Sequence, residues 1–490
     1  MSEVYLAKHR VLAIPVILKT VSESRSRGDT LILNPSTGGY FSDATIARVF
    51  HEARVMAKIP DPRVVRALDA GMHNGAPFII QEYVDGIDLE ELDHRRRTAL
   101  GVGLPLWFIC HVMRDVCGAL HASHQTGVIH RDVKPSNIFG APETGVRLGD
   151  FGIAIGRSDT ESGDTSGTFG FMAPEQLRGE EAHRATDIYG AAATAFALRY
   201  GRAPYATADE AQDPHKKPVF AVPEHPVVGY FQELLQRMLV KDIAHRPSNA
   251  SAFAHHFDMI ARSIRTSVND TSLISIDSHT FRLGGITIKL YAGDIAHATT
   301  EGIVSSGNYE MKMRSGVGEA LRLRGGDVIE EEAMKGGQQP LGSCIVTGAG
   351  KLSARAVLHA VSAWNEASCV GRAAQRVFLL ADELGLKSLS IPALGTGVAR
   401  VSLERCASAL MTSLKWHALL GGTRLERVDL VLENEDKLRV FKTVAEEALR
   451  DEHEPPRIVD LGLPVNGQVV RGDSSTHIDV GMAAAFPRAT

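Results

Sequence analysis

Apolar positions along the chain change period several times, and each change marks an element. A first apolar run, Val11 to Leu18, reads as a strand, and a stretch rich in Ser, Thr, Gly and Asp from Thr20 to Thr45 separates it from a helix. Ile46, Val49, Phe50 and Ala53 recur at spacings of three and four, which gives that helix one apolar face. After the turn His73-Asn74-Gly75, the run Pro77 to Val84 predicts another strand. The period then becomes helical, with long helices over Leu106 to His121 and Ala185 to Arg199. A β-containing first part thus gives way to a helical second part. Polar residues accumulate again from Ser263 to Ser278, between helix-like Phe253 to Ile264 and strand-like Ile286 to Tyr291, and this stretch reads as an interdomain linker. Beyond it, short apolar strands (Gly302 to Ser305, Cys344 to Thr347, Ala356 to Ala360, Ser388 to Ile391, Arg427 to Leu432) alternate with helical segments, the pattern of an α/β layered domain. From Asp451 the chain is rich in Pro, Gly and Ser without periodicity, and a disordered or loosely docked tail is expected.

Composition narrows the classes. The 490 residues exceed one ordinary domain, and 44% hydrophobic with 23% charged residues exclude a chain that is disordered throughout. With 53 basic against 58 acidic residues, the charge balance argues against a large nucleic-acid or anionic-membrane footprint, though it leaves room for local basic pockets. Arg95-Arg96-Arg97 lacks interleaved aromatics and reads as a solvated helix face. Cys110, Cys117, Cys344, Cys369 and Cys406 form no C-x-x-C pair and no disulfide framework, which suits a reducing cytoplasm. No apolar stretch reaches about 18 residues and no secretion signal is read, so neither a membrane span nor export is expected. His255-His256 has no Cys, His or Asp constellation around it, so a metal site there is not expected.

Three ordered strings carry chemistry. His130-Arg131-Asp132-Val133-Lys134-Pro135-Ser136-Asn137 is followed by Asp150-Phe151-Gly152 and then by Ala173-Pro174-Glu175. Phosphoryl transfer needs a carboxylate beside the incoming hydroxyl, a cation near the moving phosphoryl group and oxygen ligands for a divalent metal. In this order the strings resemble the catalytic loop, metal-binding turn and activation-segment end of bacterial eukaryotic-like Ser/Thr protein kinases. The resemblance covers Met1 to about Asp258. It implies ATP and Mg²⁺ as cofactors, with Mn²⁺ as a substitute metal, and protein Ser/Thr hydroxyls as substrates. Asp132 and Lys134 would be catalytic, and Asn137 and Asp150 would hold metal. Lys134, two residues after Asp132, is similar to Ser/Thr rather than tyrosine kinases.

By the same resemblance Val16-Ile17-Leu18-Lys19 carries the phosphate-binding lysine, with Glu52 as its partner. A lysine ending an apolar run also needs a carboxylate, because a buried unpaired cation is costly. Val4, Ile17, Glu82 and Val84 would complete the ATP site, with Gln81 at its back and Glu82 to Val84 as the hinge. Asp187 would hold the catalytic-loop backbone, and Arg246 would pair with Glu175. Arg131 before Asp132 implies control by phosphorylation, with Thr160, Ser162, Thr165 and Ser166 as candidate sites. Thr168 is expected to bond the catalytic loop instead. For any one of those candidate sites, a merely flexible Ser/Gly loop is the plainer account. The chain departs from the family at its opening, Met1-Ser2-Glu3-Val4-Tyr5-Leu6-Ala7, where Met1 aligns inside the glycine-rich loop and Ser2 replaces its last glycine. A start assigned too far downstream is the expectation, and a defective ATP lid the alternative. Ile17 stands where the family usually has alanine.

From Ile286 to about Arg450 the chain resembles a macro domain, the α/β module that binds ADP-ribose. Gly293-Asp294-Ile295 matches the adenine-reading turn, and Pro392-Ala393-Leu394-Gly395-Thr396-Gly397-Val398 matches the loop that cradles the diphosphate. Glycines are needed there because backbone N–H groups must approach phosphate oxygens without an obstructing Cβ. Asp294, Ile295, Asn308, Gly316, Val317, Gly395, Thr396, Gly397 and Val398 are the implied ADP-ribose-binding residues. Hydrolases of the family resemble V-N-A-A-N followed by G-G-V-D; here Val304-Ser305-Ser306-Gly307-Asn308 precedes Ser315-Gly316-Val317-Gly318. Gly318 in place of the aspartate removes a group that could orient water, so binding is favoured over hydrolysis. Ala399 and Arg400 stand where an aromatic is often found.

The expected fold class is an α+β bilobal protein kinase fold followed by an α/β three-layer macro domain. The kinase domain is placed at 1–258, a linker at 259–285, the macro domain at 286–450 and a disordered tail at 451–490. The expected function is ATP-dependent phosphorylation of protein Ser/Thr residues, with a macro domain that binds ADP-ribose or a related NAD-derived ligand. Partners would be protein substrates and ADP-ribosylated proteins or free ADP-ribose, without nucleic acid, in the cytoplasm. A pseudokinase scaffold with a reading macro domain, or an ADP-ribosyl hydrolase, are the alternatives.

Overall fold

The computed structural model describes residues 2–9, 14–21, 43–73, 75–141, 144–151, 169–264, 273–364 and 367–449. The candidate phosphorylation sites Thr160, Ser162, Thr165 and Ser166, together with Thr168 and the tail from residue 451, lie outside them.

The first lobe is an antiparallel sheet of order β1-β2-β4-β3, made of β1 (Ser2–Lys8), β2 (Pro15–Val21), β3 (Ala67–His73) and β4 (Ala76–Glu82). Helix α1 (Asp43–Met56) lays Val49 and Ala53 of its apolar face on Ile79 of β4. The second lobe is helical. It contains α2 (Leu89–Leu100), α3 (Leu106–Gln125), α4 (Pro174–Leu177), α5 (Arg184–Tyr200), α6 (Ala208–Gln212), α7 (Pro226–Met238) and α8 (Ala250–Ser263). A small sheet of β5 (Ile87–Asp88), β6 (Ile138–Ala141) and β7 (Gly145–Leu148) faces the first lobe. Helices α3 and α5 run through the core, and most of their residues are buried. The predicted α3 gains one more turn, in which Ser123 and His124 are buried but hydrogen-bonded.

The second domain is an eight-stranded sheet of order β12-β13-β11-β16-β17-β10-β9-β8. Its strands are β8 (Leu273–Ser275), β9 (Thr280–Leu283), β10 (Ile286–Ala292), β11 (Gly302–Gly307), β12 (Cys344–Gly348), β13 (Ala356–Val361), β16 (Ser388–Ile391) and β17 (Arg427–Leu432), and a two-stranded hairpin of β14 (Ala363–Trp364) and β15 (Ala367–Ser368) stands apart. Helices α9 (Gly316–Gly325), α10 (Val328–Met334), α11 (Val370–Glu383), α12 (Leu403–Leu420) and α13 (Glu435–Leu449) complete it. Central strands pair in parallel and are covered on both faces. Ile303 and Val357 enter one apolar cluster while their neighbours Val304 and Leu358 enter the other. A parallel strand buried on both faces reads as a continuous apolar run, which is why these strands were legible.

Two sequence expectations need correction. The stretch 259–285 is not simply a linker, since it holds the end of α8 and the strands β8 and β9, which extend the second sheet. Phe281 and Leu283 face the core between a polar Thr280 and an exposed Arg282, and the surrounding Ser and Asp residues disguise that alternation. Arg95-Arg96-Arg97 is not a solvated face either. Arg96 is fully buried, Arg95 pairs with Glu383, and Arg97 pairs with Asp93 and donates to the Leu198 carbonyl. Among the described residues no helix is long and apolar enough to cross a membrane.

Candidate functional site

The cleft between the sheet lobe and the helical lobe collects residues from six separate stretches. Cross-strand register sets Val4 opposite Lys19 and Ile17 opposite Gln81, which puts Val4, Ile17 and Lys19 on one face of the sheet. Lys19 Nζ lies 3.1 Å from Glu52 Oε1 and 3.1 Å from Asp150 Oδ1. Burial works against the lysine charge, but Asp150 and Glu52 outweigh it and hold Lys19 above the ordinary lysine value. Burial also pushes the Glu52 carboxyl up, against the pull of Lys19. Glu82 leads into the hinge with its N–H on the Arg66 carbonyl and its carboxylate on the Arg66 guanidinium. The Val84 carbonyl accepts the Gly86 N–H at 2.9 Å and closes the hinge turn.

The loop from His130 to Asn137 is held from below. Asp187 on α5 accepts the backbone N–H of His130 at 2.9 Å and of Arg131 at 2.7 Å, and its Oδ2 also contacts His124. That grip keeps Arg131 at a φ of +72°, a left-handed conformation that needs outside support in a non-glycine residue. His130 is fully buried, and burial pushes it below the usual histidine value despite Asp187 and Asp132. As a neutral ring it accepts the Asp132 N–H at Nδ1 and donates from Nε2 to the Gly149 carbonyl at 2.9 Å. Asn137 Nδ2 donates to the Asp132 backbone carbonyl and to Asp132 Oδ2 at 2.7 and 2.9 Å, and Lys134 Nζ stands 2.9 Å from the same carboxylate. With its amide nitrogen so engaged, Asn137 offers its carbonyl oxygen, and Asp150 offers a half-exposed carboxylate. These are hard oxygen donors and fit a divalent cation such as Mg²⁺. Below the loop Arg246 grips Glu175 through two bonds of 2.7 and 3.0 Å.

In the second domain Asp294, Ile295, Asn308, Gly316, Val317, Gly395, Thr396, Gly397 and Val398 all line one cleft of about 980 Å³. Asp294 accepts the Ala296 N–H at 2.9 Å and contacts His297, so its carboxylate is fixed at the cleft edge. Gly316 and Gly395 have φ of +55° and +72°, which L side chains rarely adopt. Ser306 Oγ accepts the Gly395 N–H at 3.0 Å and ties the two binding loops together. Asn308 is turned onto its own loop, where it accepts from Glu310 and Lys312 and donates to the Lys312 carbonyl. Val398 stands largely exposed on the rim.

Sequence reading did not single out Ser305, His359 and Ser362 as lining residues of this cleft. Ser305 and Ser362 have buried hydroxyl oxygens without a hydrogen-bond partner among the described residues. Leaving such a group unmade costs about 1–3 kcal/mol, so a polar ligand fits where they point. The signal is a hydroxyl inside the apolar strand β11, at the position where the resembled family has its first asparagine.

A sheet lobe over a helical lobe, with an ion cluster between them, joined to a layered α/β domain with a glycine-lined cleft, defines a protein kinase fold followed by a macro fold. The chain belongs to the protein kinase domain family, whose model matches residues 1–257, and its second domain matches the macro domain model over 304–410. It is 33% identical over 214 residues to the serine/threonine-protein kinase PknB of Mycolicibacterium smegmatis, across 42% of this chain and 31% of that protein. It is 29% identical over 271 residues to the serine/threonine-protein kinase PknL of Mycobacterium tuberculosis, across 54% and 63%. The chain thus spans about a third of the PknB relative's length. Similar solved structures include the Mycobacterium tuberculosis PknI kinase domain (27% identity, 53% of this chain, 91% of that chain, TM-score 0.40). Another is the Oceanobacillus iheyensis macrodomain with ADP (21% identity, 36% and 93%, TM-score 0.31).

Proposed function

We propose that the chain transfers the terminal phosphoryl group of ATP to Ser/Thr hydroxyls of proteins, and that its macro domain binds ADP-ribose or a chemically related ligand. The observation that carries the first part is the Lys19, Glu52 and Asp150 cluster set over the Asp132 loop. Lys19, kept charged by two carboxylates, orients nucleotide phosphates at its Nζ. Asp150 and Asn137 would hold Mg²⁺, which would supply charge neutralisation on those phosphates. Asp132 orients the substrate hydroxyl and takes up its proton at a carboxylate oxygen, while Lys134 beside it balances charge on the moving group. Asn137 holds the Asp132 carboxylate in place.

The second part is supported by the cleft's two unpartnered hydroxyls and its left-handed glycines. Its volume falls in the roughly 300–1,000 Å³ range of small-ligand sites. Gly318 supports binding rather than hydrolysis, because a Cβ there would lie 3.2 Å from Met313 Cα and leaves no ready room for a carboxylate.

Labelled ATP with Mg²⁺ and a Ser/Thr protein substrate tests the kinase, with Asp132→Asn as control. Incorporation by the wild type and its loss in the variant are expected; equal incorporation sinks the assignment of Asp132, and none in either favours a scaffold. Calorimetry with ADP-ribose, wild type against Asp294→Ala, tests the macro cleft, and absence of binding by the wild type overturns that part.

A further inference from the structure

The back of the kinase hinge is a contact surface. Asp85, directly after the hinge, accepts the N–H of Gly371 at 2.9 Å and of Arg372 at 2.8 Å in the first turn of α11. A helix start leaves N–H groups without intrahelical partners, and a side chain at the N-cap usually takes one of them. Cys369, the N-cap of α11, makes no such bond, so a carboxylate from the other domain does the capping where the helix dipole also favours it. Gly371 permits this approach, since a Cβ there would lie 2.9 Å from the Asp85 carbonyl oxygen. The half-buried Tyr83 of the hinge sets its hydroxyl, which is buried, beside Cys369.

Helix α2 is gripped as well. Arg376 forks onto Glu91 at 2.8 and 2.7 Å, and Arg95 forks onto Glu383 at 2.6 and 3.1 Å. Buried Arg96 donates to the carbonyls of Leu420 and Gly421 at the end of α12, at 3.1 and 3.0 Å. Trp416 meets Phe108 edge-on, and Leu379 and Leu420 join the kinase core cluster. A surface that shares a core and desolvates charges is a fixed junction rather than two tethered bodies.

The start of α11 also borders the macro cleft. Ser362 lines that cleft, and its carbonyl accepts the Cys369 N–H at 2.7 Å, which closes the connection between cleft and helix start.

We propose that the macro domain is a docked clamp on the kinase hinge that sets adenine-site affinity, and that the α11 start links occupancy of the macro cleft to that affinity. The clamp rests on the interface and on the ATP-site reading of the hinge, and the linkage rests further on the ADP-ribose reading of the cleft. By thermodynamic linkage the effect is reciprocal between the two ligands.

The test uses the full chain and two readouts. One is the dissociation constant of staurosporine, a hinge-binding probe without phosphates for the macro cleft; the other is amide exchange over residues 83–88, which needs no ligand. Gly371→Ala and Arg376→Glu are expected to weaken staurosporine about fivefold or more and to speed hinge exchange. Combining Arg376→Glu with Glu91→Arg is expected to restore both, which separates the contact from general destabilisation. Unchanged exchange and affinity in both single variants overturn the clamp. Saturating ADP-ribose is expected to shift wild-type staurosporine affinity about fivefold and to do so no longer in Gly371→Ala. If ADP-ribose binds and staurosporine affinity stays the same, the linkage is overturned. If ADP-ribose does not bind, the ligand reading and the linkage fall together, while the variants alone decide the clamp.

Discussion

Lys19 Nζ and Asp150 Oδ1 stand 3.1 Å apart although 131 residues separate them in sequence. One ammonium therefore bridges the sheet lobe to the strand end that leads into the activation segment, and Glu52 secures it from α1. Lys19→Met removes the cation and leaves the nearly buried Glu52 carboxylate unpaired. Stability should fall by about 3–5 kcal/mol, as for a broken buried pair. Phosphate incorporation should fall by roughly 10²-fold or more, the scale of one lost transition-state contact. Chemical denaturation and label incorporation read the two effects. In Asp132→Asn incorporation should fall by about 10²–10⁴-fold with little loss of stability, since the amide still offers an oxygen to Asn137.

Glu175 and Arg246 carry a stability signal without touching the reaction. Burial alone would push the Glu175 carboxyl up, but the Arg246 bonds and charge outweigh it and hold it below the ordinary glutamate value of about 4.5. A carboxylate lowered in the folded state contributes stability above its unfolded value and loses it as pH falls through the folded one. The stability difference between wild type and Glu175→Gln should therefore be full above about pH 4.5 and shrink below it. Denaturant titrations at several pH values measure this, and a difference that ignores acid would show that the pair contributes nothing through its charge.

The kinase loop was legible because its chemistry is local. Asp132, Lys134 and Asn137 sit within one short string, and their mutual contacts follow from that closeness. Asp187 and Arg246 were placed by resemblance, and they make the backbone and carboxylate contacts expected of them. The interdomain junction was illegible because nothing in Arg95-Arg96-Arg97 separates a solvated stripe from a buried one. Arg96 is desolvated by carbonyls 324 and 325 residues away, a distance no local period reports. Strand β9 was hidden for a different reason, since two inward side chains, Phe281 and Leu283, are too few to show a period inside a polar stretch.

Gly318 tests whether the macro cleft lacks a single group or a whole geometry. The position lies on α9, and its ideal Cβ would be 3.2 Å from Met313 Cα and 3.4 Å from Met313 Cβ. Gly318→Asp should cost about 1–3 kcal/mol through overpacking. It should also release no ADP-ribose from a modified protein, because Met313 must move before the carboxylate can reach the cleft. Release at a measurable rate would mean that the cleft is otherwise built for hydrolysis.

His359 gives the macro domain a sensitivity to acid that its sequence position explains. It lies on β13 opposite Ser305 of β11, is 1% exposed, and burial pushes its ring down to about 4. The Thr347 hydroxyl donates to the Gly348 carbonyl, so His359 Nε2 must donate to the Thr347 oxygen, and the ring is neutral. An unfolded histidine takes up a proton near 6.5 while the folded one resists until about 4, so the unfolded state binds more protons between these values. Stability must therefore fall as pH drops through that window, by about 3 kcal/mol for the full difference. His359→Gln keeps a side-chain N–H for Thr347 but cannot titrate, so its stability should lose that much less on acidification. Amide exchange over β11 and β13, which isolates this domain from the kinase lobes, measures the difference; equal acid sensitivity in both proteins would sink the assignment.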